Sequence, residues 1–370
     1  MKENKTINVL VVDDSAFMRK VVSDIVESGA GLKVMDTARN GKQGIEKIRT
    51  LKPDVVTLDI EMPELDGLAT LKELKSRGIK VPVIMLSSFT TEGSEATLKA
   101  LELGAVDFVA KPSGPISLDI HTVKDELIQK IKIASNAKIE PREDLKALEI
   151  EPAKKPVTKP RSKEEPELKV KGKKKEYIIA IGTSTGGPRA LNKLIPKLPA
   201  DLPACVLITQ HMPEGFTKLM GERLAAISQM KVQEAEEGGR LAPGVVYIAP
   251  GGYHLKLKSD SPTAKGLKSL STVLDKSPPI KGLRPSVDIM MESISEFNNG
   301  IEKLAVILTG MGNDGAEGVK KIKESGGQVI VEDESSCVVF GMPRAAQKTG
   351  VVDNMIHLSE MASEIIRRTK

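Results

Sequence analysis

The sequence predicts two α/β units in series, each built on parallel strands with helices on both faces. Three observations point to it. Short apolar runs alternate with amphipathic stretches five times over the first 135 residues, and the alternation restarts after Glu176. Between these parts, residues 136–175 lose periodicity and fill with Pro, Lys and Glu. The chain of 370 residues also exceeds the ~250–300 at which single cores stop growing. The expected organisation is a unit over 5–135, a charged tether over 136–175, and a second unit over 176–370.

In the front unit the strand-like runs are 7–12, 33–37, 55–58, 83–86 and 105–109. Each is short, and strands buried on both faces of a parallel sheet read this way. The stretches between them, such as 17–27, 67–77 and 118–134, carry apolar residues at helical spacing and cover the sheet. The tether includes at most a helical turn near 144–148. In the back unit strands are expected at 177–181, 204–209, 231–234, 304–308 and 328–331. The block 245–275 carries Gly-Gly and Ser-Asp turn signals. It reads as antiparallel hairpins inserted at one edge of a mostly parallel, Rossmann-like sheet.

Composition narrows the function. No apolar run approaches the ~20 residues that span a bilayer, so no membrane insertion is expected. The start, Met-Lys-Glu-Asn-Lys-Thr, leads straight into a strand, with no secretory signal. Cys205 and Cys337 lie far apart in apolar segments and read as reduced core thiols of a cytoplasmic protein. The net charge of +5 comes mostly from 153–175, where no aromatic residues interleave. That is a solvated tether, and nucleic-acid binding is not expected.

In a doubly wound sheet functional groups gather at the carboxyl ends of strands. The front unit delivers Asp13 and Asp14 after its first strand, Asp59 after the third, Ser87 after the fourth and Lys111 after the fifth. Singly, an Asp pair is an N-cap and Lys-Pro is a turn. Together, three carboxylates repel unless a divalent cation sits among them, and Mg²⁺ suits such a site. Asp59 would then be a nucleophile forming an acyl phosphate, with Lys111 and Ser87 on phosphoryl oxygens. Residues 7 to about 130 resemble a response-regulator receiver domain through Val11-Val-Asp-Asp14, Asp59-Ile-Glu-Met-Pro-Glu-Leu-Asp-Gly67 and Phe108-Val-Ala-Lys-Pro112. The resemblance implies a flavodoxin-like fold, phosphorylation from a histidine kinase and Mg²⁺ dependence. It also implies that Ser87 and Phe108 couple phosphorylation to surface rearrangement.

The back unit opens on Tyr177-Ile-Ile-Ala-Ile-Gly-Thr-Ser-Thr-Gly-Gly-Pro188. A strand, then Gly182-x-Ser184-x-Gly186, then a helix is the nucleophile-elbow order, which lifts the Ser184 hydroxyl clear of the sheet. A serine needs a base, an orienting acid and an oxyanion pocket. Of four histidines, only His211 follows a strand end as Ser184 does; His121, His254 and His357 lie elsewhere. Asp314 follows another strand end, in Thr309-Gly-Met-Gly-Asn-Asp-Gly315. The N–H groups of Thr185 and Met311 would bind the oxyanion. The same loop also matches G-x-G-x-x-G, with Glu332 and Asp333 after the next strand, so dinucleotide binding stands as an alternative. That motif normally opens the first unit of a fold, and it leaves Ser184 and His211 without a role. The order Ser, His, Asp also differs from the Ser, Asp, His of α/β-hydrolases.

Residues 177–370 are similar to the catalytic domain of the chemotaxis protein-glutamate methylesterase family. Beyond the elbow, the similarity is carried by Gln210-His-Met-Pro213, Ile248-Ala-Pro-Gly251 and Arg284-Pro-Ser-Val-Asp288. It continues through Leu308-Thr-Gly-Met-Gly-Asn-Asp-Gly315 and Ser336-Cys-Val-Val-Phe-Gly-Met-Pro-Arg344. The family often has a histidine where this chain has Leu283, which removes any auxiliary role there. The resemblance implies a phosphorylation-activated esterase that demethylates glutamates on chemoreceptor helices and deamidates glutamines. It needs no cofactor for ester hydrolysis. The tether would let the front unit lie over the catalytic rim until Asp59 is phosphorylated.

Overall fold

The computed structural model describes residues 6–88, 90–111, 120–137, 175–259, 261, 265–297 and 300–369. Nearly all of the expected tether lies outside them, as do its helical turn, Pro112 and the His121 side chain.

The front sheet is parallel, with strands β1 (Ile7–Val12), β2 (Leu32–Ala38), β3 (Val55–Asp59), β4 (Val83–Ser87) and β5 (Asp107–Ala110) in the order β2-β1-β3-β4-β5. Its helices are α1 (Ala16–Glu27), α2 (Gly41–Leu51), α3 (Gly67–Ser76), α4 (Thr91–Leu103) and α5 (Ile120–Ala134). The sequence starts the first four with side-chain caps. Ser15, Asn40, Asp66 and Thr90 each accept a first-turn N–H, worth ~1 kcal/mol apiece. β3, β4 and β5 are buried throughout. The last strand begins two residues later than expected, because Ala105 still donates to Ala100 in closing α4. Strand order reverses between β1 and β3, which opens a crevice at their carboxyl ends.

The back sheet has seven strands, all parallel, numbered on along the chain. They are β6 (Glu176–Thr183), β7 (Ala204–Gln210), β8 (Lys231–Glu234), β9 (Val245–Ile248), β12 (Ile301–Ile307), β13 (Gln328–Glu332) and β14 (Asn354–Ile356). Their order is β14-β13-β12-β6-β7-β9-β8. The hairpin β10 (His254–Ser259) with β11 (Leu270–Asp275) forms a separate antiparallel pair. The expected antiparallel block thus divides. Its first strand, Val245–Ile248, pairs in parallel with both β7 and β8, since three of its four residues are buried as a central strand requires. β14 was not legible: three partly exposed residues at an edge leave no apolar run. The helices that matter below are α6 (Gly187–Leu194), α7 (Phe216–Ile227), α8 (Val287–Ser295) and α9 (Ala316–Glu324). Two more, α10 (Met342–Gln347) and α11 (Leu358–Arg368), close the chain. No described helix is long and apolar enough to cross a membrane.

The switch point of this sheet lies between β6 and β12, where the strand leading to Ser184 adjoins the strand leading to Asp314. The front unit packs over this edge. Phe108 stacks on Phe216 with ring centroids 4.7 Å apart, and both rings are buried. Such a pair contributes ~0.5–1.5 kcal/mol beyond its area burial. Arg223 of α7 meets Glu102 of α4 at 2.9 Å, half-exposed and correspondingly weak.

Candidate active site and phosphoacceptor site

At the front crevice, oxygens of Asp13, Asp14 and Asp59 lie within 4.8 Å of one another. Asp13 and Asp59 are buried while Asp14 faces solvent. Lys111 Nζ sits 2.7 Å from Asp59 Oδ1 and 2.9 Å from Asp13 Oδ2. Asp13 Oδ2 is buried, and its contact is the Lys111 ammonium, a cation that offsets only part of the charge of three clustered carboxylates. That donor set fits a hard divalent cation with waters to spare. Burial pushes the Asp59 carboxyl up to about 6, with Asp13 adding repulsion that Lys111 only partly offsets. Burial alone would lower the Lys111 ammonium, but Asp59 and Asp13 hold it above its ordinary value.

The Ser87 hydroxyl is engaged at the start of α4. Its Oγ lies 3.1 Å from the Ser88 carbonyl and 3.3 Å from that of Gly93, and accepts from Thr97 Oγ1 at 2.6 Å. Phe108 is covered at the junction of the two units, 4% exposed against Phe216, with Lys130 Nζ 5.2 Å from its ring centroid.

At the back switch point the backbone fixes three side chains on one rim. Ser184 ends β6 in a half-buried turn, and its N–H donates to the Thr309 carbonyl at 3.1 Å. Gln210 Nε2 donates to the Ser184 carbonyl at 3.0 Å, and the His211 N–H to that of Thr183 at 3.1 Å. His211 is therefore stitched to the strand that presents Ser184. Gly310 lies directly against the serine, since a Cβ there would come within 2.9 Å of Ser184 Cβ.

His211 Nε2 bonds Asp314 Oδ2 at 2.7 Å, and both side chains are nearly buried. Burial alone would raise the Asp314 carboxyl. The His211 ring and the N–H groups of Val287 and Asp288 hold it at about 2 instead. With Nε2 on the acid, Nδ1 is the nitrogen left for Ser184. No hydrogen bond joins Ser184 Oγ to the ring among the described residues. The N–H groups of Thr185 and Met311 donate to no described residue.

The other histidines have local roles. His254 is fully buried, accepts from the Ser286 N–H at 3.2 Å, and is held below its ordinary value chiefly by burial. His357 caps α11. Glu332, the acid that a dinucleotide reading needs, is fully buried and already accepts from Thr309 N–H and Ser336 Oγ. It has no face toward a ribose. Three contacts had no signal clear enough to assign from sequence. Asp107 reaches across to Thr185 Oγ1, Phe216 receives Phe108, and Ser286 bonds Asp314 Oδ1 at 2.9 Å. A charged residue inside the apolar run before Phe108 was the one hint of the first.

Known proteins carry the same two parts in the same order. Residues 179–365 match the family model described as CheB methylesterase, and 9–122 match that of the response regulator receiver domain. A protein of Halalkalibacterium halodurans named protein-glutamate methylesterase/protein-glutamine glutaminase is 48% identical, over 98% of this chain and 99% of its own. One of the same name from Bacillus subtilis is 44% identical over 97% of each chain. The crystal structure of the Thermotoga maritima CheB methylesterase catalytic domain is 43% identical, covering 52% of this chain and 98% of its own, with a TM-score of 0.49. With both halves matched and near-complete coverage at such identity, this chain belongs to the CheB methylesterase family, carrying a response-regulator receiver domain ahead of the methylesterase domain.

Proposed function

We propose that this protein-glutamate methylesterase and glutaminase acts on methylated chemoreceptors and is activated by phosphorylation of Asp59. The observation that carries the catalytic part is the 2.7 Å bond between His211 and Asp314 on the rim that presents Ser184. In this reading Ser184 Oγ attacks the γ-carbonyl carbon of a glutamyl methyl ester as His211 Nδ1 takes its proton. Asp314 stabilises the imidazolium that forms. The N–H groups of Thr185 and Met311 meet the negative oxygen of the tetrahedral intermediate. The ring returns the proton to the leaving oxygen, methanol departs, and water attacks the acyl-serine to release glutamate. A glutamine side chain runs the same course with ammonia leaving.

The receiver supplies control. A histidine kinase is the proposed phosphodonor, with Asp59 as acceptor. Asp13, Asp14 and Asp59 would hold Mg²⁺, which neutralises charge on the phosphoryl group when bound. Ser87 and Lys111 would then bind phosphoryl oxygens, turning Ser87 away from Thr97 and drawing Phe108 off Phe216. Because Phe108 rests on Phe216 and Asp107 on Thr185, the same movement loosens the receiver from the catalytic rim. The proposed units are 5–135 and 176–370, joined by the tether 136–175. Cys205 and Cys337 are both buried and neither is in a disulfide, which suits a reducing, cytoplasmic setting.

The test is methanol release from methylated receptor membranes, with and without acetyl phosphate. Acetyl phosphate should stimulate release, and Ser184→Ala should abolish it while still taking up phosphate. Release that survives the loss of Ser184 would remove the catalytic assignment.

A further inference from the structure

The segment Arg284-Pro-Ser-Val-Asp288 contains none of the three proposed catalytic side chains, yet its last three residues all bond to one of them. Ser286 Oγ, the Val287 N–H and the Asp288 N–H reach Asp314 at 2.9, 2.7 and 3.0 Å. The Asp288 carboxylate points the other way. Its Oδ1 accepts from the N–H of Gly315 at 2.8 Å and of Gly318 at 2.7 Å. The exchange is reciprocal: the acid just before α9 caps the start of α8, and the acid in the first turn of α8 caps the start of α9. Helix α9 has no cap of its own, because Gly315 occupies that position at φ +95°. The two helices meet closely, and a Cβ on Gly318 would lie 2.7 Å from Met291 Cβ.

Ser or Asn would cap as well as Asp and would place no second charge beside Asp314. Here a second, half-buried carboxylate lies beside Asp314, and its desolvation, with repulsion from Asp314, raises the Asp288 carboxyl to about 6. We propose that Asp288 is a positioning residue for hydrolysis. It fixes the end of the loop from Gly310 to Gly315, and so aims Asp314 at His211 Nε2 and the Met311 N–H at the reacting carbonyl. This rests on reading Ser184, His211 and Asp314 as the hydrolytic centre.

The test uses the full chain, with methanol release expressed per site titrated by a fluorophosphonate. For Asp288→Ala, kcat should fall roughly 10- to 100-fold, the scale of a misplaced catalytic group. KM should stay within about 2-fold, since ground-state binding is not touched. Asp288→Asn keeps an acceptor oxygen for both N–H groups and should recover most of the rate. Undiminished kcat in Asp288→Ala overturns the proposal, as does equal loss in the Ala and Asn variants. Should Asp288→Ala fail to fold, Ser286→Ala removes one bond to Asp314 and no cap. It should lower kcat several-fold at unchanged KM, and an unchanged kcat overturns the claim that the start of α8 orients Asp314. Full activity in Ser184→Ala or Asp314→Asn would instead overturn the underlying catalytic reading.

Discussion

Thr185, one residue past Ser184, donates its hydroxyl to the carboxylate of Asp107, one residue before Phe108 in receiver strand β5. Both groups are buried at the junction of the two units. The neighbour of the proposed nucleophile and the neighbour of the proposed switch ring are thereby bonded directly. A hydrogen bond to a charged acceptor contributes ~1.5–3 kcal/mol, enough to carry a regulatory coupling.

Removing that acceptor should release the catalytic rim without phosphorylation. Asp107→Ala is expected to raise methanol release in the absence of a phosphodonor by about 5-fold or more, the lower end of ordinary coupling energies. Acetyl phosphate should then stimulate the variant less than the parent. A basal rate equal to the parent's would mean that this bond does not hold the two units together.

The receiver carboxylates predict a pH-dependent response to metal. The folded Asp59 value of about 6 lies above the ordinary 3.8. The stability contributed by this group is therefore full below pH 3.8 and is lost as pH rises through about 6. Divalent metal binds the ionised form and restores stability over that same window. Mg²⁺ should raise the unfolding midpoint more near pH 7.5 than near pH 5. Asp13→Asn should flatten the difference, and a metal response independent of pH would contradict the assignment. Asp59→Asn should in addition erase stimulation by acetyl phosphate.

Much of this site was legible because chemistry sits at strand ends. Ser184, His211 and Asp314 each follow an apolar run, and so do Asp13, Asp59, Ser87 and Lys111. What was not legible depends on how elements pack rather than on their order. Which imidazole nitrogen meets Asp314 is set by a side-chain rotamer. The Thr185–Asp107 bond needs two units, far apart in sequence, to be docked. Arg284-Pro-Ser-Val-Asp288 was visible as a motif, but its contacts arise only where α8 crosses the start of α9. Val245–Ile248 reads as part of the hairpins because Gly251 and Gly252 follow it, and only burial on both faces reveals a sheet strand.

Asp314 accepts on both oxygens: Oδ1 from Ser286, Asp288 and Gly315, and Oδ2 from Val287 and His211. Asp314→Asn must aim an NH₂ group at donors whichever way the amide is turned. Turnover should fall ~10⁴-fold through loss of the imidazole's orientation and charge partner. Stability should fall as well, with a sign that pH reports. The folded value of about 2 lies below the ordinary 3.8, so the contribution is full above 3.8 and is lost as pH falls through about 2. The stability gap between parent and variant should narrow across that range in acid unfolding, and a constant gap would mean that the Asp314 charge does not support the fold.

Gly310 tests whether the placement of Ser184 limits the reaction. A Cβ there would stand 2.4 Å from Met342 Sδ, 2.9 Å from Ser184 Cβ and 3.0 Å from Ser184 N. The methionine can move, but the serine backbone is tied by its own N–H to Thr309 and through its carbonyl to Gln210. In Gly310→Ala the elbow must therefore shift as a whole and change its register with His211 on the next strand. Turnover should drop roughly 10- to 100-fold, as for displacement of a reacting group by a fraction of an ångström to one ångström. Fluorophosphonate labelling of Ser184 should slow in parallel, because the probe needs the same hydroxyl and the same oxyanion donors. If labelling slows while methanol release does not, the hydroxyl that the probe reads is not the one that attacks the ester, and the nucleophile must be sought elsewhere on the rim.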